Sequence, residues 1–420
     1  MTNQNSQSVI CQNCKTEFTI EPEDLAFYAK IKVPQPTFCP ECRMVRRFVF
    51  RNSRFLFRRK DDATQTEIFS GIHPTIPVKI FNLDFWYSDA WDPMEYGRGY
   101  NFSRPFFEQF RELLYAVPWP GKNNIRTVYS DYCDNIIGAK NCYLCFDGTD
   151  LQDCAYVVGS DNTRDALDAY ECDRTESCYD SYMTDESSQM FFSVNCESCN
   201  NVWFSKDLIG CSNCFGCVNL RNKSYYIWNK PHTKEAYKTS LAKLGFGSRK
   251  TIDELKEKAH LFWKQFPVRF TLGIRNVNST GEHIQESKNV KASYCIHGGE
   301  NLKYCQLVTA PVTDSYDYSD GGFGASLIYE TAACEEKCSG LKFSWECWPE
   351  SKDLEYSAFC RSSSNLFGCV GLKKKQYCIF NVQYSKEEYF ALREKIIKHM
   401  NEMPYVSEVG SPSFAQASAG

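Results

Sequence analysis

The sequence has no run of about 18 apolar residues, the length a helix needs to cross a bilayer, and its first nine residues are polar, without the apolar stretch of a secretory leader. These absences predict neither a membrane span nor export, and therefore a cytoplasmic chain. Histidine is scarce: His73, His232, His260, His283, His297 and His399 fall in no metal-binding or triad pattern. Acids are missing from residues 43–60, where eight of eighteen residues are basic. Bases are nearly missing from 131–200, where fifteen Asp and Glu stand against three Lys and Arg. A basic stretch offers a polyanion contact and an acidic surface repels one, so any nucleic-acid role belongs to the N-terminal part. A deficit of apolar residues is not among the absences: 43% hydrophobic content over 420 residues excludes a disordered chain and predicts two or three structural units.

What the sequence has in excess is cysteine, 23 residues. A disulfide framework suits short secreted chains with an even count, so these thiols are expected to be reduced. Four of them form two C-x2-C pairs, Cys11/Cys14 and Cys39/Cys42, separated by twenty-four residues. Each such pair forms a knuckle, and four thiolates complete a tetrahedral shell around Zn²⁺. A closed shell leaves no position for substrate, so the expected cofactor is one structural zinc ion. The other nineteen cysteines, from Cys133 to Cys378, behave on this reading as small buried hydrophobes. Residues 1–62 form the zinc module with its basic segment, and Cys39-Pro-Glu-Cys42 is placed to open a helix.

The residues Cys11 through Phe18, Phe27-Tyr28-Ala-Lys, Pro36-Thr and Cys39-Pro-Glu-Cys-Arg resemble the zinc-ribbon modules of treble-clef type found in bacteria. The chain as a whole is similar to uncharacterised proteins of candidate-phylum bacteria, which join such a module to Cys-rich repeats. The resemblance implies an architecture and supplies no activity.

For the basic segment two readings stand side by side. Arg43, Arg46, Arg47, Arg51, Arg54, Arg58, Arg59 and Lys60 are candidate nucleic-acid-binding residues, gripping phosphates of RNA or DNA while Phe48, Phe50, Phe55 and Phe57 pack inward or stack on bases. Alternatively the segment pairs with the acidic part of the same molecule.

After an aromatic-rich connector over 63–125, whose rings at 81–100 are expected to pack on a neighbouring unit, residues 103–116 read as a helix with Pro105 in its first turn. Residues 213–237 then align with 365–389 at a constant offset of 152, with thirteen identities in twenty-five, an internal duplication. A shorter period of roughly 12 to 24 residues runs inside each copy, marked by Asn, Ser or Asp beside Cys, as in Asn141-Cys-Tyr and Ser177-Cys-Tyr. Short strands between polar turns bury a face only when stacked. The expected fold is therefore mainly β with α: a treble-clef or zinc-ribbon module followed by a duplicated β-solenoid-like region. Its halves span 126–266 and 267–403, each closed by helix, with a flexible tail over 404–420. Ser385 with Glu388 and Thr251 with Glu254 are the predicted capping boxes.

Cys211, Cys214 and Cys217 are spaced for a second metal, but the duplication places Ser363, Leu366 and Cys369 at the matching positions, which favours packing. The expected function is a non-enzymatic zinc-binding scaffold with a protein partner on the acidic solenoid and no membrane contact. The alternative is an enzyme acting on a polysaccharide or other extended polymer through Asp161, Asp165 and Asp168 or Asp314, Asp317 and Asp320.

Overall fold

In the computed structural model, which describes residues 6–52 and 54–405, the chain is mainly β with about 20% helix and winds through about 21 turns of a β-solenoid. The expected tail lies outside the described residues from 406 onward. No described helix is long and apolar enough to cross a membrane.

The N-terminal head is a hairpin, β1 (Gln7–Ile10) and β2 (Glu17–Ile20), followed by α1 (Pro22–Ile31) and α2 (Pro40–Phe48). Its apolar face, Ile20, Phe27, Tyr28 and Ile31, is buried against Tyr329 and Tyr316 of the solenoid, with the Phe27 and Tyr316 rings stacked at 3.9 Å. A second hairpin follows, β3 (Phe57–Lys60) and β4 (Glu67–Ser70), then α3 (Leu83–Tyr87) and α4 (Phe106–Ala116). The aromatics of this connector are packing surface: Trp86, Phe106 and Trp119 join Phe359, Phe367 and Phe380 of the solenoid in one cluster. Pro105 stands just outside α4 rather than in its first turn, because its ψ of 145° is extended.

The solenoid is built from triplets. Cys133, Ile136, Ala139, Cys142 and Cys145 face inward at every third position, and the residue two places after each inward one, Asn135, Gly138, Asn141, Leu144 and Asp147, has positive φ and turns the chain. Consecutive coils pair in parallel at an offset of 12 residues, as Arg164 with Glu176 and Glu176 with Ser188, so four triplets close one coil. Asn and Asp recur at the corners because their short polar side chains tolerate left-handed backbone and bond along the stack. Asn141 donates to Asp153, and Asn201 to Asn213, each at 2.9 Å.

This geometry explains the cysteines. The ladder serves the outer two amides of each triplet, as Lys140 N donates to Leu151 O and Asn141 N to Val128 O. The inward amide is left over, and a buried amide needs a partner. It finds the side chain one coil back: Cys142 N donates to Ser130 Oγ, Cys172 N to Ser160 Oγ and Cys211 N to Cys199 Sγ. The inward side chain in turn donates to carbonyls, as Cys154 Sγ does to Gln152 O and Thr163 O. Cys, Ser and Thr are thus equivalent brackets between coils, with Val, Leu, Ile and Met filling the remaining inward positions.

The second half uses 13 residues per coil in its middle, pairing Gly299 with Val312 and Tyr316 with Tyr329, and returns to 12 at Lys352 with Ser364. The two halves lie side by side and run in opposite directions. Asp147, early in the first, is joined through Arg51 to Asp320, well into the second, whereas Asp207, late in the first, lies within electrostatic reach of His283 at the start of the second.

Both halves end alike, which is the structural content of the duplication. Tyr226 pairs with Pro231 in a terminal hairpin, as Cys378 does with Gln383. In that hairpin Asn229 accepts from Val218 N and donates to Val218 O, and Asn381 does the same with Val370. Helices then close each half: α5 (Lys234–Ala242), capped by Thr233, and α6 (Arg249–Trp263) after the first, and α7 (Lys386–Glu402), with its Ser385/Glu388 capping box, after the second. The cap of α6 is Ser248 and not Thr251, since Ser248 Oγ accepts from Thr251 N and the helix begins a turn earlier.

Candidate metal centre and its docking face

Cys11 and Cys14 lie in the turn of the first hairpin, Cys39 is the N-cap of α2, and Cys42 sits in the first helical turn. The four Sγ atoms lie within 4.8 Å of one another, and Cys14 and Cys39 Sγ are 3.7 Å apart. The edge of a tetrahedron of thiolates with 2.3 Å metal–sulfur bonds is about 3.8 Å, so the cluster is of the size that holds a metal ion. Amides are aimed at the sulfurs, Cys39 N at Cys11 Sγ (3.2 Å) and Cys42 N at Cys39 Sγ (3.5 Å), and Asn13 Nδ2 donates to Cys42 Sγ (3.4 Å). Burial works against the Cys11 thiolate, but donors from Cys39, Cys14 and Asn13 outweigh it and bring the thiol down to about 6. Cys39 and Cys42 are pushed up by burial. Among the described residues no other group of His, Cys, Asp or Glu converges in this way. Cys211, Cys214 and Cys217 are successive inward residues of the triplet repeat and point from adjacent sides of the coil.

The helix that begins at Cys39 also sets the arginines. Arg43, Arg46 and Arg47 share one face of α2, since residues three and four apart are neighbours on a helix. That face is laid on the second half. Asp317, fully buried, accepts from Arg43 Nε and Arg47 Nη1, both at 3.0 Å. Arg46 pairs with the buried Glu330 at 2.6 Å, and Arg47 also donates to Ser319 Oγ and Gln306 Oε1. Arg51 follows the helix and bridges Asp147 (2.7 Å) to Asp320. Side-chain exposure is 1% for Arg43, 3% for Arg47 and 12% for Arg51, so these three are closed to a phosphate ligand.

The remaining basic residues lie elsewhere. Arg54 covers Tyr170, Arg58 lies over Phe69, Arg59 donates to His73 O and Val78 O, and Lys60 ends β3. The eight candidates therefore do not form one surface. The acids that receive α2 are not those of the acid-rich stretch; they are Asp317, from the Asp314, Asp317 and Asp320 group singled out for catalysis, and Glu330. The three aspartates of that group occupy successive corners of one coil, each with positive φ, and each meets a different cation: Lys30, then Arg43 with Arg47, then Arg51. Asp165 and Asp168 are likewise successive corners, exposed on different sides. The triplet repeat spreads such carboxylates around the coil rather than gathering them.

The first half carries a surface of another kind. Tyr129, Tyr132, Tyr143 and Tyr156 of the first half are exposed, with Tyr132, Tyr143 and Tyr156 in ring contact at 5.4 and 5.7 Å, one coil apart. Exposed Asp131, Asp150, Asp153, Asp165 and Asp168 accompany them in the same coils. No family model matches this chain, and no curated protein matches it.

Proposed function

We propose that this chain is a non-enzymatic scaffold whose head, a treble-clef-type module holding one structural Zn²⁺ on Cys11, Cys14, Cys39 and Cys42, clasps the solenoid and leaves the exposed tyrosines of the first half to bind a basic protein partner. The observation that carries this reading is the use of α2. Its helix starts at a ligand cysteine, and its arginines are spent on Asp317 and Glu330 within the same chain. Zinc suits four thiolates without an open position, and such a shell supplies folding energy rather than chemistry. The partner surface follows from charge and ring chemistry. Tyrosine faces attract guanidinium and ammonium groups, and the neighbouring carboxylates pair with them.

The test uses full-length protein with two probes, a labelled oligo-arginine peptide and a single-stranded RNA of similar length. The peptide is expected to bind, to weaken as salt rises, and to lose affinity when Tyr132, Tyr143 and Tyr156 are changed to Ser. RNA is expected to bind less tightly than the peptide. Tighter binding of RNA, lost on changing Arg54, Arg58 and Lys60 to Glu, would reverse the assignment in favour of a nucleic-acid role.

A further inference from the structure

The hairpin and helix that follow the head repeat its geometry without its cysteines. In the first unit Gln7 pairs with Ile20 and Ile10 with Glu17; in the second Phe57 pairs with Ser70 and Lys60 with Glu67, the same register fifty residues on. Cys11 N donates to Thr16 O and Lys15 N to Cys11 O; Asp61 N donates to Thr66 O and Gln65 N to Asp61 O. Lys15 and Gln65 carry the same left-handed turn, with φ of 65° and 62°. Gln12 N reaches Thr37 O two residues before the helix cap Cys39, and Asp62 N reaches Ile80 O two residues before the helix cap Asn82.

The correspondence extends to the ligand atoms. Cys39 N donates to Cys11 Sγ, and Asn82 N donates to Asp61 Oδ1, both at 3.2 Å. Cys42 N donates to Cys39 Sγ, and Phe85 N donates to Asn82 Oδ1. Asp61, Thr64, Asn82 and Phe85 thus stand where Cys11, Cys14, Cys39 and Cys42 stand in the first unit. Where the first unit gathers four sulfurs, the second gathers hydrogen bonds: Thr64 Oγ1 and Asn82 Nδ2 both donate to Asp61 Oδ2, and Asp61 is fully buried.

We propose that residues 57–87 are a second knuckle of the metal-binding type in which a buried carboxylate, bonded to Thr64 and Asn82, has taken the place of the metal. The chain then carries two clasps of one design. One depends on a metal and docks the head through the α2 arginines. The other is independent of metal and is sealed into the solenoid by Ile80, Phe81 and Trp86, which pack with Phe359, Phe367 and Phe380. Burial alone would raise the Asp61 carboxyl, but the donors from Thr64, Ala63 and Asn82 hold it below the usual carboxylate range, so it serves as an anion at neutral pH.

The inference is tested by giving the second knuckle its thiols. In full-length protein, Asp61→Cys, Thr64→Cys and Asn82→Cys are combined, with and without Phe85→Cys, and titrated with Co²⁺ alone. The expected result is one more equivalent of Co²⁺ per chain than the parent binds, with a thiolate-to-cobalt absorption band. A folded variant that binds no more Co²⁺ than the parent would overturn it. Because the readout is a difference from the parent, it stands apart from whether the parent's own cluster binds metal. Should the variants fail to fold, Asp61→Ala decides. Hydrogen exchange at the Ala63 and Asn82 amides, which donate to Asp61, should speed up by about tenfold or more; unchanged protection would refute the role of Asp61.

Discussion

Asp317 shows how much depends on a single side chain. It is fully buried and accepts from two guanidinium groups that are themselves almost wholly enclosed. Removing one partner of a buried ion pair leaves an uncompensated charge, at a cost of about 3–5 kcal/mol. Asp317→Asn is therefore expected to lower the urea midpoint of the transition that releases the head, with the solenoid transition retained. Glu335 gives the opposite case. Burial, with Asp320 beside it and Glu346 and Glu336 nearby, pushes its carboxyl up to about 8 despite Arg51. An unfolded glutamate titrates at about 4.3, so the folded chain binds the proton more tightly. Stability is full below the unfolded value and is lost as pH rises toward 8. Glu335→Gln should flatten that slope in unfolding curves taken across this range, and an unaltered slope would count against it. The cluster of Cys11, Cys14, Cys39 and Cys42 was legible at this scale because two C-x2-C pairs are rare by chance. Asp61, Thr64 and Asn82 were not, because a knuckle held by a carboxylate, a hydroxyl and an amide leaves no characteristic spacing of one residue type.

At the scale of the element, the coil turns cysteine abundance into backbone chemistry. An inward Cys accepts from the next coil's amide and donates to a carbonyl, as Cys199 does with Cys211 N and Glu197 O. Ser does the same at Ser187 and Ser205. Cys199→Ser should therefore change stability little, whereas Cys199→Val, of similar bulk but without the polar atom, should cost about 1–3 kcal/mol by stranding a buried amide. Equal losses in thermal unfolding for the two variants would contradict the bracket. The sequence showed stacked short strands, the duplication and the closing helices, since Asn-Cys pairs, a 152-residue offset and a Ser385/Glu388 box all leave marks. The three-residue period escaped it. Cys, Ser, Thr, Ala, Val and Leu all serve at inward positions, so polarity does not alternate along the chain, and some corners are occupied by Tyr156, Met183 or Phe204 instead of Asn or Asp.

At the scale of the whole molecule, the head joins what the chain separates. Arg51 ties the two antiparallel halves together, α2 lies on the second half, and the second hairpin is sealed among the aromatics that also hold α7. The contact was half-legible: the excess of arginine was plain and pairing within the chain was one of two readings. The actual acceptors were hidden, because net charge draws attention to the acid-rich 131–200 stretch, whereas a few buried carboxylates of the second half carry the contact.

The account rests on the first clasp being held by one metal ion at Cys11, Cys14, Cys39 and Cys42. Its most direct test is the zinc-to-chain ratio of full-length protein purified from zinc-replete medium, measured by elemental analysis beside Cys39→Ser. The predicted result is one zinc per chain in the parent and none in the variant, whose solenoid remains folded. Parent protein without metal, or a Cys39→Ser variant that keeps its zinc, would contradict it.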